Sequence, residues 1–137
     1  MATNQDVRTG RHCVFVMHVH LIFVTKYRRS IFDSDAIEKL TAHFKRVAAD
    51  LGARLVECNG EEDHVHLLVE YEPKTSVSTL VRSLKGVSSR MLRQERPDLV
   101  KHYYQGMLWS PSYFAGSCGG ASLDVIKQYV AQQKRPL

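Results

Sequence analysis

A chain of 137 residues fits one compact domain, spanning residues 1–137, and is long enough to bury a core without disulfide staples. Nineteen Lys and Arg against fourteen Asp and Glu give a net charge of +5, which favours a polyanionic partner without identifying it. Cys13, Cys58 and Cys118 are odd in number and lack CxxC spacing, which argues against a disulfide framework or zinc ribbon and fits a reducing cytoplasm, and an N-terminus without an apolar core argues against export or membrane insertion.

Cys13 to Thr25 is rich in Val, Phe and Ile and reads as a long strand ending in the basic run Lys26-Tyr27-Arg28-Arg29. Asp33 to Gly52 carries Ile37, Leu40, Phe44, Val47 and Leu51 at helical spacing and stops at glycine, predicting an amphipathic helix. Arg54 to Cys58 and His64 to Tyr71 read as a hairpin around the turn pair Asn59-Gly60, lengthened by Glu61, Glu62 and Asp63. Val77, Leu80, Val81, Leu84, Val87, Met91 and Leu92 mark a second helix that Pro97 ends. Tyr103 to Ala115 is aromatic and predicted extended. Residues 1–10 are expected to be flexible and the glycine-rich stretch 116–121 to form a mobile joint, after which Ser122 caps a short last helix reaching about Gln133. No internal repeat or linker interrupts this order, so the expected fold is α+β, an antiparallel sheet with helices packed on it.

The densest chemistry lies in Asp63-His64-Val65-His66. On a strand, His64 and His66 project from the same face about 6.5 Å apart, close enough for two imidazoles to converge on a cation. Asp63 is placed to orient a ligating imidazole, and the pair sits beside a turn, where sites are often assembled. The chain contains a second such pair, His18-Val19-His20, and histidines on a half-solvated sheet face are the common outcome for either; the context of Asp63 and the turn favours the pair at 64 and 66. Tyr129 and Gln133 share a helix face, offering a phenol and an amide oxygen, although such residues alone are more often a core aromatic and a solvated amide. Two imidazoles and an amide oxygen would leave a metal with open positions and full charge for a phosphate oxygen, with the phenol beside it as nucleophile. The second helix carries Arg82, Lys85, Ser89, Arg93 and Arg96 opposite its apolar face; a solvated face and a surface tracking a nucleic-acid backbone explain this stripe equally well. Lys26, Arg28, Arg29 and Lys45 could extend the same field. Most of the aromatics Tyr103, Tyr104, Trp109, Tyr113 and Phe114 are expected in the core, with base stacking as the other use.

These residues resemble the small single-tyrosine HUH transposases of bacterial and archaeal insertion sequences. The resemblance runs along nearly the whole chain: His20-Leu-Ile-Phe-Val-Thr-Lys-Tyr-Arg-Arg29, Asp63-His-Val-His-Leu-Leu-Val69, Leu84-Lys-Gly-Val-Ser-Ser-Arg90, Trp109-Ser-Pro-Ser-Tyr-Phe114 and Tyr129-Val-Ala-Gln-Gln133 occur in the family's order. It implies a ferredoxin-like βαββαβ sheet with an added C-terminal helix that carries the nucleophile. It also implies cleavage and rejoining of single-stranded DNA at insertion-sequence ends without ATP or any nucleotide cofactor, and the chain has no GxxxxGK[ST] phosphate loop. In that scheme Tyr129 forms a 5′-phosphotyrosine, while His64, His66 and Gln133 hold Mg²⁺, or Mn²⁺ in its place. Lys26, Arg28, Arg29, Arg82, Lys85, Ser89, Arg90 and Arg93 then face DNA hairpins, and a homodimer joins the histidines of one subunit to Tyr129 and Gln133 of the other. A noncatalytic nucleic-acid-binding domain on the same scaffold and a metal-dependent phosphodiesterase using water are the alternatives.

Overall fold

The computed structural model describes residues 8–9, 14–15, 17–117 and 123–133, with side chains from 17 to 117 and from 127 to 133. β1 (Arg8–Thr9) and β2 (Val14–Phe15) pair antiparallel. The main sheet follows with β3 (His18–Val24), α1 (Ser34–Asp50), β4 (Arg54–Gly60), β5 (His64–Glu70), α2 (Val77–Glu95) and β6 (Phe114–Ser117), and the last element is α3 (Leu123–Gln132). The strands lie in the order β4-β5-β3-β6, all antiparallel. This is the ferredoxin-like βαββαβ topology with an added C-terminal helix.

Alternation along β3 and β5 divides the two faces of the sheet. Val19, Leu21 and Phe23 stand opposite Val69, Leu67 and Val65 in register and join Leu40, Phe44, Leu80 and Leu84 in one core beneath α1 and α2. The intervening residues His18, His20, Ile22 and Val24 stand opposite Glu70, Leu68, His66 and His64 and occupy the other face. There Ile22, Val24 and Val130 form a second, smaller cluster flanked by Phe114 and Tyr129, so α3 covers the face that bears the histidines.

Both long helices start on a side-chain cap. Asp33 accepts from the Ala36 N–H at 2.8 Å and Ser76 from the Thr79 N–H at 3.1 Å, each such cap contributing roughly 1 kcal/mol. α1 closes through Gly52, whose φ of +72° suits glycine.

Several boundaries differ from expectation. The predicted strand from Cys13 to Thr25 is divided into Val14–Phe15 and His18–Val24. Asn59 and Gly60 do not turn: they pair with His66 and Val65 within β4, and residues 61–63 make the connection. A Cβ at Gly60 would come 2.5 Å from Ile37 Cδ1 and 3.1 Å from the His64 carbonyl oxygen, so glycine lets the tip of the Ile37 side chain, on α1, pack closely on β4. The Tyr103 to Ala115 segment is extended only from Phe114. A 3-10 turn covers Pro97–His102, Tyr104 and Met107 bridge to each other, and Gly116 and Ser117, expected in the joint, belong to β6. The rest of that joint and the proposed Ser122 cap lie outside the described residues, as does most of segment 1–10, although Arg8 and Thr9 are in β1. No helix among the described residues is long and apolar enough to cross a membrane.

Candidate active site

His64 and His66 emerge from the start of β5, where Thr25 fastens the turn before them. The Thr25 N–H donates to the Asp63 carbonyl at 2.9 Å, and its hydroxyl donates to the Arg29 carbonyl at 2.7 Å. Asp63 is thereby held between two cationic or donor groups: its Oδ1 lies 2.9 Å from His64 Nδ1 and its Oδ2 accepts from Arg28 Nε at 3.4 Å. The hydrogen bond with His64 is the largest cause holding the Asp63 carboxyl below its ordinary pKa, with the charges of His64 and Arg28 adding to it against the opposing cost of burial. An ionised carboxylate can only accept, so Nδ1 of His64 carries the hydrogen, and Nε2 is the nitrogen with which the neutral ring would bind a metal ion.

His66 meets a partner that the spacing argument left without a role. His20 Nδ1 lies 2.9 Å from His66 Nε2, and the two rings stack with centroids 5.1 Å apart. Burial, then the nearby His20, pushes the His66 imidazole below its ordinary pKa, with Glu57 opposing; a neutral imidazole is the form that binds metals. His18 goes elsewhere, 3.8 Å from the buried Glu70 carboxylate. The second histidine pair is therefore split, His20 joining the 64/66 group across the β3–β5 ladder and His18 lying at the opposite end of the strand.

Tyr129 reaches this face on α3. The neighbouring Val130 packs on Ile22 and Val24, the residues directly opposite His66 and His64. The Tyr129 ring lies 6.0 Å from that of Phe114, and its hydroxyl is 3.0 Å from Ser112 Oγ. Burial pushes the phenol pKa up, while the Ser112 hydrogen bond works in the other direction. Gln133 follows α3, its N–H bonded to the Val130 carbonyl at 3.1 Å, and its Oε1 accepts from Ser112 at 3.2 Å and Ser110 at 3.4 Å. A cavity of about 380 Å³ opens beside it, lined by Lys26, Tyr27, Ser110, Gln132 and Gln133.

The helix motif 84–90 and the Trp109-Ser-Pro-Ser segment dock on each other. Trp109 is buried in the main core and donates its Nε1–H to Ser88 Oγ at 3.1 Å. The Lys85 ammonium donates to the carbonyls of Ser110 and Ser112. Lys85 thus turns inward from the predicted stripe, and burial pushes its pKa down to about 8. Arg82, Arg90 and Arg93 stay exposed, Arg93 donating to the Gly106 carbonyl and lying over the Tyr103 ring, while the Ser89 carbonyl accepts from the Tyr103 hydroxyl. Arg96 joins Asp33, Asp35 and Asp98 instead. Of the basic run, Lys26 lies over the Tyr27 ring and Arg29 over Tyr104. Tyr27 and Arg28 both hold positive φ, 57° and 54°, a strained backbone of the kind that collects at functional sites.

The sheet thus bears the histidines on one face, and α3 lays Val130 and Tyr129 on that same face. The family described as IS200-like transposase matches residues 13–133, and the chain belongs to it. It is 29% identical over 128 residues to the ISDra2 transposase TnpA of Deinococcus radiodurans, covering 93% of this chain and 91% of that protein. It is equally 29% identical to the transposase of insertion sequence element IS200 from Salmonella typhimurium, over 93% of this chain and 84% of the other. The crystal structure of a candidate transposase from Deinococcus radiodurans R1 aligns with a TM-score of 0.84 at 30% identity, covering 94% of this chain and 99% of that one. A REP-associated tyrosine transposase, solved bound to a REP hairpin, shares the fold at 13% identity and a TM-score of 0.54, over 92% of this chain and 69% of that one.

Proposed function

We propose that this transposase cleaves and rejoins single-stranded DNA through Tyr129, with hairpins at the element's ends as its recognition feature. The observation that carries the reading is the docking of Val130 on Ile22 and Val24, which brings the tyrosine helix onto the strands that bear His64 and His66. The Tyr129 oxygen attacks the scissile phosphorus, forming a phosphotyrosine at the 5′ end and expelling a 3′-hydroxyl; a second 3′-hydroxyl reverses the attack and joins new ends. The diester conserves the bond energy, so no nucleotide cofactor is required. A phenol is neutral at neutral pH and burial pushes the Tyr129 pKa further up, so its proton must leave as the attack proceeds.

A divalent cation, Mg²⁺ or Mn²⁺, held by His64, His66 and Gln133 would polarise a phosphate oxygen and favour the phenolate. The donor set suits such an ion. His64 holds Nδ1 against Asp63, which leaves Nε2 as its donor; His66 Nε2 would turn from His20 to the ion, and the amide oxygen of Gln133 would supply the third donor. Arg28 acts through Asp63 on His64, and the exposed Arg82, Arg90 and Arg93 supply backbone contacts to DNA.

The test is incubation with a hairpin-bearing DNA strand and Mg²⁺, followed by denaturing electrophoresis. A protein–DNA adduct that disappears in Tyr129→Phe is expected. Cleavage without an adduct would indicate a phosphodiesterase using water, and binding without cleavage a noncatalytic domain.

A further inference from the structure

The Ser110-Pro111-Ser112 turn lies beside Tyr129 and Gln133 at the surface of the protein, and the proposed chemistry gives it no role. Ser112 Oγ stands 3.0 Å from the Tyr129 hydroxyl and 3.2 Å from Gln133 Oε1, and Ser110 Oγ stands 3.4 Å from the same amide oxygen. The turn is held from below. The Ser110 N–H donates to the Val24 carbonyl at 2.7 Å, and the Lys85 ammonium donates to the carbonyls of both serines, at 3.3 Å for Ser112.

We propose that Lys85 is a positioning residue for strand cleavage, clamping the Ser110–Ser112 turn so that Ser112 holds the Tyr129 hydroxyl, rather than a contact to DNA phosphate. The proposal rests on Tyr129 being the nucleophile. A lysine that serves DNA phosphates should be solvated and mobile, as the exposed Arg82 and Arg90 on the same helix are. Lys85 instead lies half-buried over the Phe23 ring, 5.8 Å from its centroid, and burial holds its pKa at about 8. An ammonium withdrawn from water remains charged where carbonyl oxygens replace its hydration. Lysine suits this place because a compact head with rotatable donors can reach two successive carbonyls under one turn, whereas the wide planar guanidinium of arginine cannot take the same position. Pro111 limits the freedom of the turn above it. The chain of contacts thus runs from the second helix through backbone carbonyls to Ser112 and then to the reacting oxygen.

The test separates positioning from binding. Lys85→Met keeps most of the stem and removes the donors. It should leave the Kd for a hairpin-bearing strand within about twofold and its salt dependence unchanged, while single-turnover cleavage at saturating DNA falls at least about tenfold, the scale expected when a reacting group is misplaced. Lys85→Arg should fail to restore the rate. Ser112 is exposed, so Ser112→Ala tests the same chain without disturbing the core and should slow cleavage similarly. The double variant should be no slower than the slower single one, because both break one path. Weaker binding with a lower salt slope and normal cleavage at saturation would return Lys85 to the DNA surface, as would full activity in Lys85→Arg. A normal rate in Ser112→Ala, or additive losses, would also overturn the clamp. Tyr129→Phe on the same DNA serves as the separate control: an adduct that persists there removes the nucleophile assignment itself.

Discussion

At the scale of single residues, Asp63 and His20 set how the two proposed ligating imidazoles stand. Asp63 fixes the His64 ring through Nδ1 and is itself held by Arg28. Asp63→Ala should therefore lower metal affinity or cleavage by roughly 10- to 100-fold, as loss of a ligand's orienting partner generally does; titration calorimetry with Mn²⁺ and single-turnover cleavage measure the two, and unchanged values in both would remove Asp63 from the site. His20→Ala should also slow cleavage, because it frees the His66 ring, whereas His18→Ala should cleave almost normally. A dead His18→Ala variant beside an active His64→Ala variant would reverse the choice between the histidine pairs. The preference for 64/66 was legible from period-two spacing, Asp63 and the turn. The role of His20 was not, since spacing within one strand says nothing of which residue of another strand lies alongside; that depends on the register that sets Ile22 opposite His66.

Elements were legible where their hydrophobic period was long. Of the apolar positions predicted for α1 and α2, Leu40, Phe44, Val47, Leu80, Val81, Leu84 and Leu92 are in the core, while Ile37, Leu51, Val77 and Val87 are partly buried against it and Met91 is half-buried. The polar face of α2 was harder to read, because helical spacing predicts a shared face and not a shared partner. The stripe divides: Arg82 goes to solvent, Lys85 to the Ser110–Ser112 turn, Arg93 to the Gly106 carbonyl, and Arg96 to Asp33, Asp35 and Asp98. Replacing Arg82 and Arg90 by Ala should weaken hairpin binding and lower the salt slope by roughly 0.7 to 0.9 for each lost phosphate contact; an unchanged slope would make this a solvated face. Arg96 ties the start of α1 to the end of α2. Its hydrogen bond is the first cause holding Asp33 and Asp98 below the ordinary carboxylate range, and for Asp35 it comes second to Lys39. Depressed carboxylate pKa values stabilise the fold above the unfolded value of about 3.9, and that contribution disappears as pH falls through the folded values. Arg96→Gln should therefore lower the Tm at pH 7, with the gap from the parent closing below about pH 4. A gap of equal size at pH 3 and pH 7 would assign the loss to packing rather than to charge.

At the scale of the whole molecule, the sheet that receives α3 decides how the site is assembled. Within one chain α3 lies on its own β3, where Val130 is the buried residue among the described side chains of the helix and Tyr129 is half-buried beside Phe114. Exchange of a small element between identical subunits loses little, because the same contacts form again on the partner. The sequence could not decide this, since the pairing of Tyr129 with Gln133 reads the same whichever sheet receives it. A homodimer with exchanged α3 helices would join His64 and His66 of one subunit to Tyr129 and Gln133 of the other. In such a dimer, mixing Tyr129→Phe with His64→Ala chains should restore cleavage, because one site of the heterodimer has both sets of groups intact. Each variant alone should remain inactive, and the restored rate should approach a quarter of the parental value when subunits exchange freely, since about half of the dimers are mixed and each carries one working site of two. Mass spectrometry of differently tagged chains establishes that exchange has occurred. If mixed dimers form and no cleavage returns, α3 acts where this structure places it, and the histidines and Tyr129 of a single chain make the complete site.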